Sequence, residues 1–305
     1  MRVTLLVTCG TSLLRNAASD ASPTKPQGIS DALHKRLVEM NNRYNISRLS
    51  RLEPGSIEDS EIRDKHAYSG SELFQSLLDY IRERGGSYAT AEINTMDLLI
   101  RDNRLLPDDI SNVFLYHSDT GSGLLCARVM EEYLRNERGL RVERVEVQGF
   151  SKAKALEQFQ ECMIDLMSKV VRMVKRRKRG STTHDMVADE VERVYVLATA
   201  GFKPESTAAV IAALLAGADG IYYVYEATRE LVSIPAIPLA LDERVKGYVE
   251  MIFGKDYRDE PRDAILERGI SAEVVDMLEE RGLIESKGEL NSKVGLRDWV
   301  RELLS

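Results

Sequence analysis

The stretch Val3-Thr4-Leu5-Leu6-Val7-Thr8-Cys9-Gly10-Thr11-Ser12-Leu13 decides the fold of this chain. Its short apolar run leads directly into a glycine turn, which predicts a buried strand, a loop and the start of a helix. A second stretch of this kind, Thr199-Ala200-Gly201-Phe202-Lys203-Pro204-Glu205, follows a late apolar run. In an open α/β sheet, loops at this position present helix N-termini and free backbone N–H groups that bind phosphates. We therefore expect Ser12 and Lys203 to face one shared phosphate.

Short apolar runs alternate with helical patterns along the first 240 residues. Turn-forming residues bound the apolar runs, which predicts strands at 3–8, 113–117, 141–147, 191–199 and 220–225. Apolar residues spaced i, i+3, i+4 predict helices at 29–44, 69–84, 123–138, 151–175 and 204–216. This alternation predicts a Rossmann-like three-layer α/β sandwich with a mostly parallel sheet. Residues 230–238, which include two prolines, are expected to add an antiparallel edge strand.

The sequence changes character near residue 240, and we expect two domains, 1–240 and 241–305. Short helical patterns at 242–253, 261–267 and 272–281 precede a glycine-bounded segment at 282–290. Two helices followed by a short hairpin are typical of a winged helix-turn-helix, and a small helical cap, lid or dimerisation element is the alternative. Because the segment is acidic, duplex DNA is not a favoured partner.

Composition excludes several classes of protein. With a net charge of -7 and 43% apolar residues, the chain is an ordinary globular protein, so any polyanion must be met by a local basic pocket. The widely separated Cys9, Cys126 and Cys162 are interpreted as packing residues of a cytoplasmic protein. No window approaches the roughly 20 apolar residues that cross a bilayer, so no membrane partner is expected.

A third loop, Ser118-Asp119-Thr120-Gly121-Ser122-Gly123, has two glycines that permit close backbone approach. Asp119, Thr120 and Gly121 are therefore candidate phosphate or sugar contacts. His117 ends the preceding strand, either as a ligand contact or as a packed strand-end residue.

Familiar metal and cofactor motifs do not occur in the sequence. The histidines lack metal-binding spacings, and there is no GxxxxGK[ST] loop, no GxGxxG fingerprint and no GxSxG elbow. We therefore expect metal-free chemistry without a cofactor. The Arg179-x4-His184 spacing is known from HEPN ribonucleases, but it falls between predicted sheet elements and is discounted.

Over roughly residues 1–240 the chain resembles the CRISPR-associated Rossmann-fold (CARF) proteins, and within them the cyclic-oligoadenylate ring nucleases. The motifs that carry the resemblance lie at 8–14, 91–94, 118–120 and especially 201–207. The family usually has two glycines before Phe-Lys, and Ala200 replaces the first of them here.

The resemblance implies a homodimer that binds cyclic tetra-adenylate on its two-fold axis and cleaves it without a metal, which switches off type III CRISPR antiviral signalling. In the implied reaction, a ribose 2′-hydroxyl attacks its own 3′ phosphodiester and yields linear di-adenylate with 2′,3′-cyclic phosphate ends. Lys203 would stabilise the developing charge, and Ser12 would orient the ribose or the scissile phosphate. In addition to the residues of the third loop, the implied ligand-binding residues are Gly10, Thr11, Leu13, Gly201 and Phe202.

Two other functions fit the same sequence. A sensor without catalysis would bind the cyclic nucleotide and regulate transcription through a C-terminal winged helix. An effector nuclease with its active centre in the C-terminal part is the weakest alternative, because residues 241–305 contain no histidine and no convincing catalytic cluster.

Overall fold

A six-stranded sheet forms the centre of the computed structural model, which describes residues 2–152, 156–179, 192–201, 203–225 and 227–304. Its strands are β1 (Arg2–Thr8), β2 (Ile110–Ser118), β3 (Val142–Val147), β4 (Glu192–Leu197), β5 (Gly220–Tyr225) and β6 (Glu230–Ile234). Their spatial order is β3-β2-β1-β4-β5-β6, and only the β5–β6 pair is antiparallel. The predicted Rossmann-like sheet with its antiparallel edge strand is therefore confirmed.

Helices cover both faces of the sheet. The helices between β1 and β3 are α1 (Ser12–Asp20), α2 (Asp31–Tyr44), α3 (Ile46–Leu49), α4 (Ile57–Glu61), α5 (Glu72–Arg84), α6 (Gly86–Ala89), α7 (Ala91–Arg101) and α8 (Gly121–Arg138). Those between β3 and β5 are α9 (Leu156–Arg179) and α10 (Lys203–Ala216). Because successive residues of a strand point to opposite faces, Leu5 and Val7 pack in the core with α1, whereas Leu6 packs in the core with α9 and α10.

Three short turns and the free cysteines complete this part of the chain. Residues Ile62–His66 form a π-helical turn, and Pro107–Asp109 and Phe150–Lys152 form 3-10 turns. All three cysteines are buried and unpaired, which confirms that they are packing residues. In the described ranges, no helix combines the length and the apolar character needed to cross a bilayer.

The C-terminal elements form a second, smaller sheet with helices around it. They are α11 (Glu243–Phe253), β7 (Glu260–Pro261), α12 (Arg262–Glu267), α13 (Ala272–Glu280), β8 (Ile284–Lys287), β9 (Lys293–Leu296) and α14 (Asp298–Leu304), with a 3-10 turn at Glu289–Asn291. The three strands pair antiparallel in the order β7-β9-β8. The helices α12 and α13 followed by the β8–β9 hairpin match the helix, helix, hairpin outline that the sequence predicts. The choice between a winged helix and a helical cap, and the domain boundary at residue 240, stay predictions.

The C-terminal elements have an apolar core of their own, and it touches the long helix α9. Trp299 and its buried neighbours form this cluster, and Ile164 and Met167 of α9 pack against it. Arg297 adds a bidentate ion pair to Glu161 of the same helix, at 2.5 and 2.8 Å. The helix α9 is thus shared by the large sheet and the C-terminal elements.

The strand order places a crevice at the carboxyl ends of β1 and β4. From β1 the sheet continues through β2 to β3, and from β4 it continues the other way through β5 to β6. The loops that follow β1 and β4 diverge at this switch point, which is where open α/β sheets bind their ligands.

Candidate functional site

A cleft of about 590 Å³ lies at this switch point. The loop after β1 lines it with Gly10, Thr11 and Ser12, and the loop after β4 lines it with Gly201. Thr120, from the third loop, lines the same cleft. The structure therefore brings together members of all three loops that the sequence singles out.

The loops after β1 and β4 touch each other directly. A Cβ added to Gly10 would lie 2.7 Å from the backbone nitrogen of Gly201, so only a glycine fits at this contact. Thr8 reinforces the contact, because its hydroxyl donates a hydrogen bond to the carbonyl oxygen of Ala200. Gly201 has a φ of +96°, a backbone conformation that favours glycine.

Ser12 is the first residue of α1, and its side chain is held by α7. The hydroxyl donates a hydrogen bond to Oε2 of Glu92 at 2.6 Å and accepts one from the backbone N–H of Ala91 at 3.1 Å. The backbone N–H of Gly10 donates to the other carboxylate oxygen of Glu92 at 2.8 Å. One carboxylate thus fixes both the turn and the predicted catalytic serine.

Glu92 is a functional candidate that the sequence reasoning missed. It is only 2% exposed, and no lysine or arginine of the described chain forms an ion pair with it. Burial raises the pKa of the Glu92 carboxyl, and the hydrogen bonds from Ser12 and Gly10 offset that rise only in part. The sequence drew attention to residues 91–94 only through their resemblance to a family motif.

The positive charges of the cleft differ from those that the sequence predicts. Lys203 begins α10 with an exposed side chain and is not among the residues that line the cleft. Arg15 of α1 and Arg51, which follows α3, do line it, and neither has an ion-pair partner within the described ranges. Glu205, in the first turn of α10, adds a negative group to the lining of the cleft.

The helix N-termini near the cleft are not equally available to a ligand. At α8, the carboxylate of Asp59 already accepts from the backbone N–H of Gly121 at 2.8 Å and from that of Ser122 at 3.4 Å. At α1, the backbone N–H groups of Ser12 and Leu13 have no hydrogen-bond acceptor among the described residues. Of these two helix N-termini, that of α1 is therefore the one that no described protein group occupies.

Several predicted ligand contacts are instead packed or hydrogen-bonded within the protein. Leu13 is fully buried in the core, main chain included, and is not among the residues that line the cleft. Asp119 is buried, and its carboxylate accepts from the backbone N–H groups of Gly149 and Ser151 at 2.9 Å each and from the Ser151 hydroxyl at 2.8 Å. A Cβ on Gly121 would meet the Asp59 carbonyl oxygen at 2.0 Å, so this glycine serves helix packing.

The two remaining candidates are His117 and Phe202. His117 is 2% exposed, and its Nδ1 lies 2.8 Å from the carbonyl oxygen of Ser118, which matches the packed strand-end alternative. Burial lowers its pKa, so the ring is neutral at physiological pH. Phe202 lies outside the described residues.

An aromatic pair forms the wall of the cleft beside α9. Phe150 and Phe159 both line the cleft and meet edge to face, with ring centroids 5.8 Å apart at 81°. Their rings give the cleft an apolar surface next to its polar loops. Among the residues that the structure describes, no three His, Cys, Asp or Glu side chains are grouped as metal ligands, and metal-free chemistry stays a prediction.

Residues 87–237 match the model of a protein family described as CRISPR-associated protein (Cas_APE2256). The matched segment contains Glu92, the loop after β2 and the loop after β4, and it stops before the C-terminal elements. The match supports a role of the chain in a CRISPR system.

Proposed function

We propose that this protein is a ring nuclease that binds cyclic tetra-adenylate and cleaves it, without a metal, to linear di-adenylate with 2′,3′-cyclic phosphate ends. The observation that carries the proposal is the direct contact between Gly10 and Gly201. It brings the Ser12 hydroxyl and the beginning of α10 to one cleft at the switch point of the sheet. The family match supports the CRISPR context that such a reaction needs.

The cleft suits a phosphodiester because it offers both donors and charge. The N-terminus of α1 lines the cleft with Thr11 and Ser12, no described side chain caps it, and the helix dipole favours an anion there. Arg15 and Arg51 supply the local basic pocket that an acidic protein needs for a polyanion. The phosphates of the ring would therefore lie over the first turn of α1.

The aromatic wall suits the bases of the same ligand. Aromatic side chains stack on nucleobases, and one such contact contributes roughly 1–3 kcal/mol. Phe150 and Phe159 both line the cleft. We assign the adenine bases to this wall.

A cyclic tetra-adenylate has two-fold symmetry, and an isologous interface has the same symmetry. Each subunit of a homodimer would supply one set of loops to one half of the ring. Light scattering of the purified protein should therefore give the mass of a dimer, and a stable monomer in the presence of the ligand would contradict this assignment.

The proposed reaction needs little covalent chemistry from the protein, because the nucleophile is the ribose 2′-hydroxyl of the ligand. The site must hold that oxygen in line with the departing 5′-oxygen, which can contribute up to roughly 7–11 kcal/mol. Lys203 has no ion-pair partner in the described part of the chain, so its ammonium group is free to meet the charge that develops on the phosphorane. Ser12 would orient the reacting nucleotide.

Incubation of the purified protein with cyclic tetra-adenylate in EDTA tests the proposal directly. Chromatography should show linear di-adenylate with 2′,3′-cyclic phosphate ends, at the same rate with and without the chelator. Recovery of intact ring would overturn the nuclease assignment, and a loss of activity in EDTA alone would overturn the metal-free mechanism.

A ligand sensor that regulates transcription is the second candidate, favoured by the winged-helix order of the C-terminal elements. Its difficulty is α13, the helix before the hairpin, which carries Glu273, Asp276, Glu279 and Glu280 and no basic residue. These carboxylates would repel the phosphates of duplex DNA. A sensor would return intact cyclic nucleotide and shift duplex DNA in a gel, whereas the ring nuclease would return little intact ring and need not bind DNA.

A further inference from the structure

Resting on the proposed ring opening, we propose that Glu92 is the positioning residue behind Ser12 and receives, through the Ser12 hydroxyl, the proton that the ribose 2′-hydroxyl gives up. The residue lies one hydrogen bond away from the cleft. It would act on the nucleotide only through Ser12.

The hydrogen bonds of Ser12 restrict what its hydroxyl can do for a ligand. The proton is donated to Glu92 at 2.6 Å, and one oxygen lone pair accepts from the backbone N–H of Ala91 at 3.1 Å. A hydroxyl has one donor and two acceptor positions, so only an acceptor position is left for the cleft. Ser12 therefore accepts a hydrogen bond from the ribose 2′-hydroxyl rather than donating one to a phosphate oxygen.

A carboxylate is an expensive choice for a merely structural contact at this position. Burying an ionised group that forms no ion pair costs far more than burying a neutral amide of the same size. Glu92 is 2% exposed and is the second residue of α7, where the helix dipole and the N–H of Gly10 favour its charged form. This cost is explained if the charge has a chemical use.

The surroundings of Glu92 raise its proton affinity, as a general base requires. Burial raises its pKa toward neutral, and the groups that face it are Arg15 of α1, Cys9 of the loop after β1 and Cys126 of α8. Burial also raises the pKa of both thiols, so they remain neutral, and Arg15 is the charged group among the three. A general base works best when its pKa approaches the operating pH.

The proposed step balances without any further reactant. The 2′-oxygen forms a bond to phosphorus while the bond from phosphorus to the 5′-oxygen breaks. The 2′-hydroxyl proton passes to Ser12 as the Ser12 proton passes to Glu92, and the leaving 5′-oxygen takes a proton from water. Glu92 afterwards returns its proton to solvent by way of the same hydroxyl.

Glu92→Gln tests the step, because the amide keeps the size of the side chain and an acceptor for the Gly10 N–H but cannot take up a proton. Single-turnover cleavage of cyclic tetra-adenylate should slow by about 100-fold, with ligand affinity unchanged. Ser12→Ala should slow cleavage by about the same factor. Because Glu92 acts only through Ser12, the double variant should be no slower than Ser12→Ala alone. Asp102→Asn, at the exposed end of α7, is the matched carboxylate control and should leave the rate unchanged.

The outcomes separate this step from the proposed function. If the wild-type protein leaves the ring intact, the proposed function fails and the step fails with it. If the wild-type protein cleaves, three results would overturn only the step. The first is a Glu92→Gln variant that cleaves as fast as the wild type, and the second is one that loses ligand affinity instead of rate. The third result is a double variant whose rate loss is the product of the losses of Glu92→Gln and Ser12→Ala.

The pH dependence of cleavage provides a second measurement that needs no Glu92 variant. The wild-type rate should fall as pH falls through the raised pKa of Glu92, because a protonated carboxyl accepts no proton. The same acid limb should be absent in Ser12→Ala. An identical acid limb in both proteins would overturn the step even if Glu92→Gln failed to fold.

Discussion

The two loops that meet in the cleft are held in different ways. In the loop after β1, the buried Glu92 fixes the Gly10 N–H and the Ser12 hydroxyl, so this half of the site is set before any ligand arrives. In the loop after β4, Gly201 contacts Gly10, but the Lys203 side chain is exposed and has no ion-pair partner in the described ranges. Under the proposed function, the first loop would orient the nucleophile, and the second would stabilise the negative charge that develops during the reaction.

Replacement of Lys203, in the second loop, should have the largest effect on the rate of ring opening. We expect Lys203→Met to slow ring opening by about 10²–10³-fold, because one well-placed charge contributes roughly 3–4 kcal/mol to a phosphorane-like transition state. Binding of cyclic tetra-adenylate should change little. Single-turnover rates at saturating ligand, with Lys255→Met as an exposed lysine control, give the measurement. A variant that binds poorly but cleaves normally at saturation would make Lys203 a binding residue instead.

Separation of the two loops should have the next largest effect. The methyl group of Gly10→Ala would lie 2.7 Å from the backbone nitrogen of Gly201, so the loops must move apart. We expect cleavage to fall by about 10- to 100-fold and the free energy of unfolding to fall by about 1–3 kcal/mol.

Gly247→Ala is the control for that experiment. It lies within α11, and a Cβ there would have no neighbour within 4 Å, so this variant should be active and slightly more stable, by roughly 0.5–1 kcal/mol. If Gly10→Ala cleaved at the wild-type rate, contact between the loops would not be needed for the reaction.

The basic pocket should contribute to affinity rather than to the chemical step. We expect Arg51→Ala to weaken binding of cyclic tetra-adenylate by about 10-fold, since a charge-assisted hydrogen bond contributes roughly 1.5–3 kcal/mol. The loss should shrink as salt rises, because added ions screen the contact. Isothermal titration at two salt concentrations, with the exposed Arg141→Ala as control, measures both effects. An unchanged affinity would remove Arg51 from the phosphate-binding set.

The sequence predicts the order of strands and helices well because periodicity and turn residues are local signals. The convergence of Gly10 and Gly201 also follows from local patterns, since both loops end parallel strands of one sheet. The predicted helix 151–175 overlaps a 3-10 turn at Phe150–Lys152, and the described helix runs from Leu156 to Arg179. The helix α7 was not predicted as an element, since its mixture of β-branched and apolar residues gives only a weak helical period.

The chemistry of the cleft was harder to predict from the sequence. Glu92 and Arg51 come from the long segment between β1 and β2, and only tertiary packing brings them to the switch point. The same packing fills the N-terminus of α8 with the Asp59 carboxylate, so the glycines of the third loop face a protein group. No local pattern distinguishes a loop that is open to phosphate from one that is already occupied.

The smallest expected effect is on the stability of the folded protein, and it comes from the buried Glu92 carboxylate that holds the loop after β1. Because the pKa of Glu92 is raised in the folded protein, the folded state holds this proton more tightly than the unfolded state does. Ionised Glu92 therefore destabilises the protein as pH rises above the usual glutamate pKa, and the cost is absent below it. Glu92→Gln should then melt about 2–4 °C higher than the wild type at pH 7, or roughly 1 kcal/mol, and the gap should close near pH 4. Scanning calorimetry at the two pH values measures the gap, and a variant that melts lower at both would mean that the carboxylate stabilises the loop instead of straining it for function.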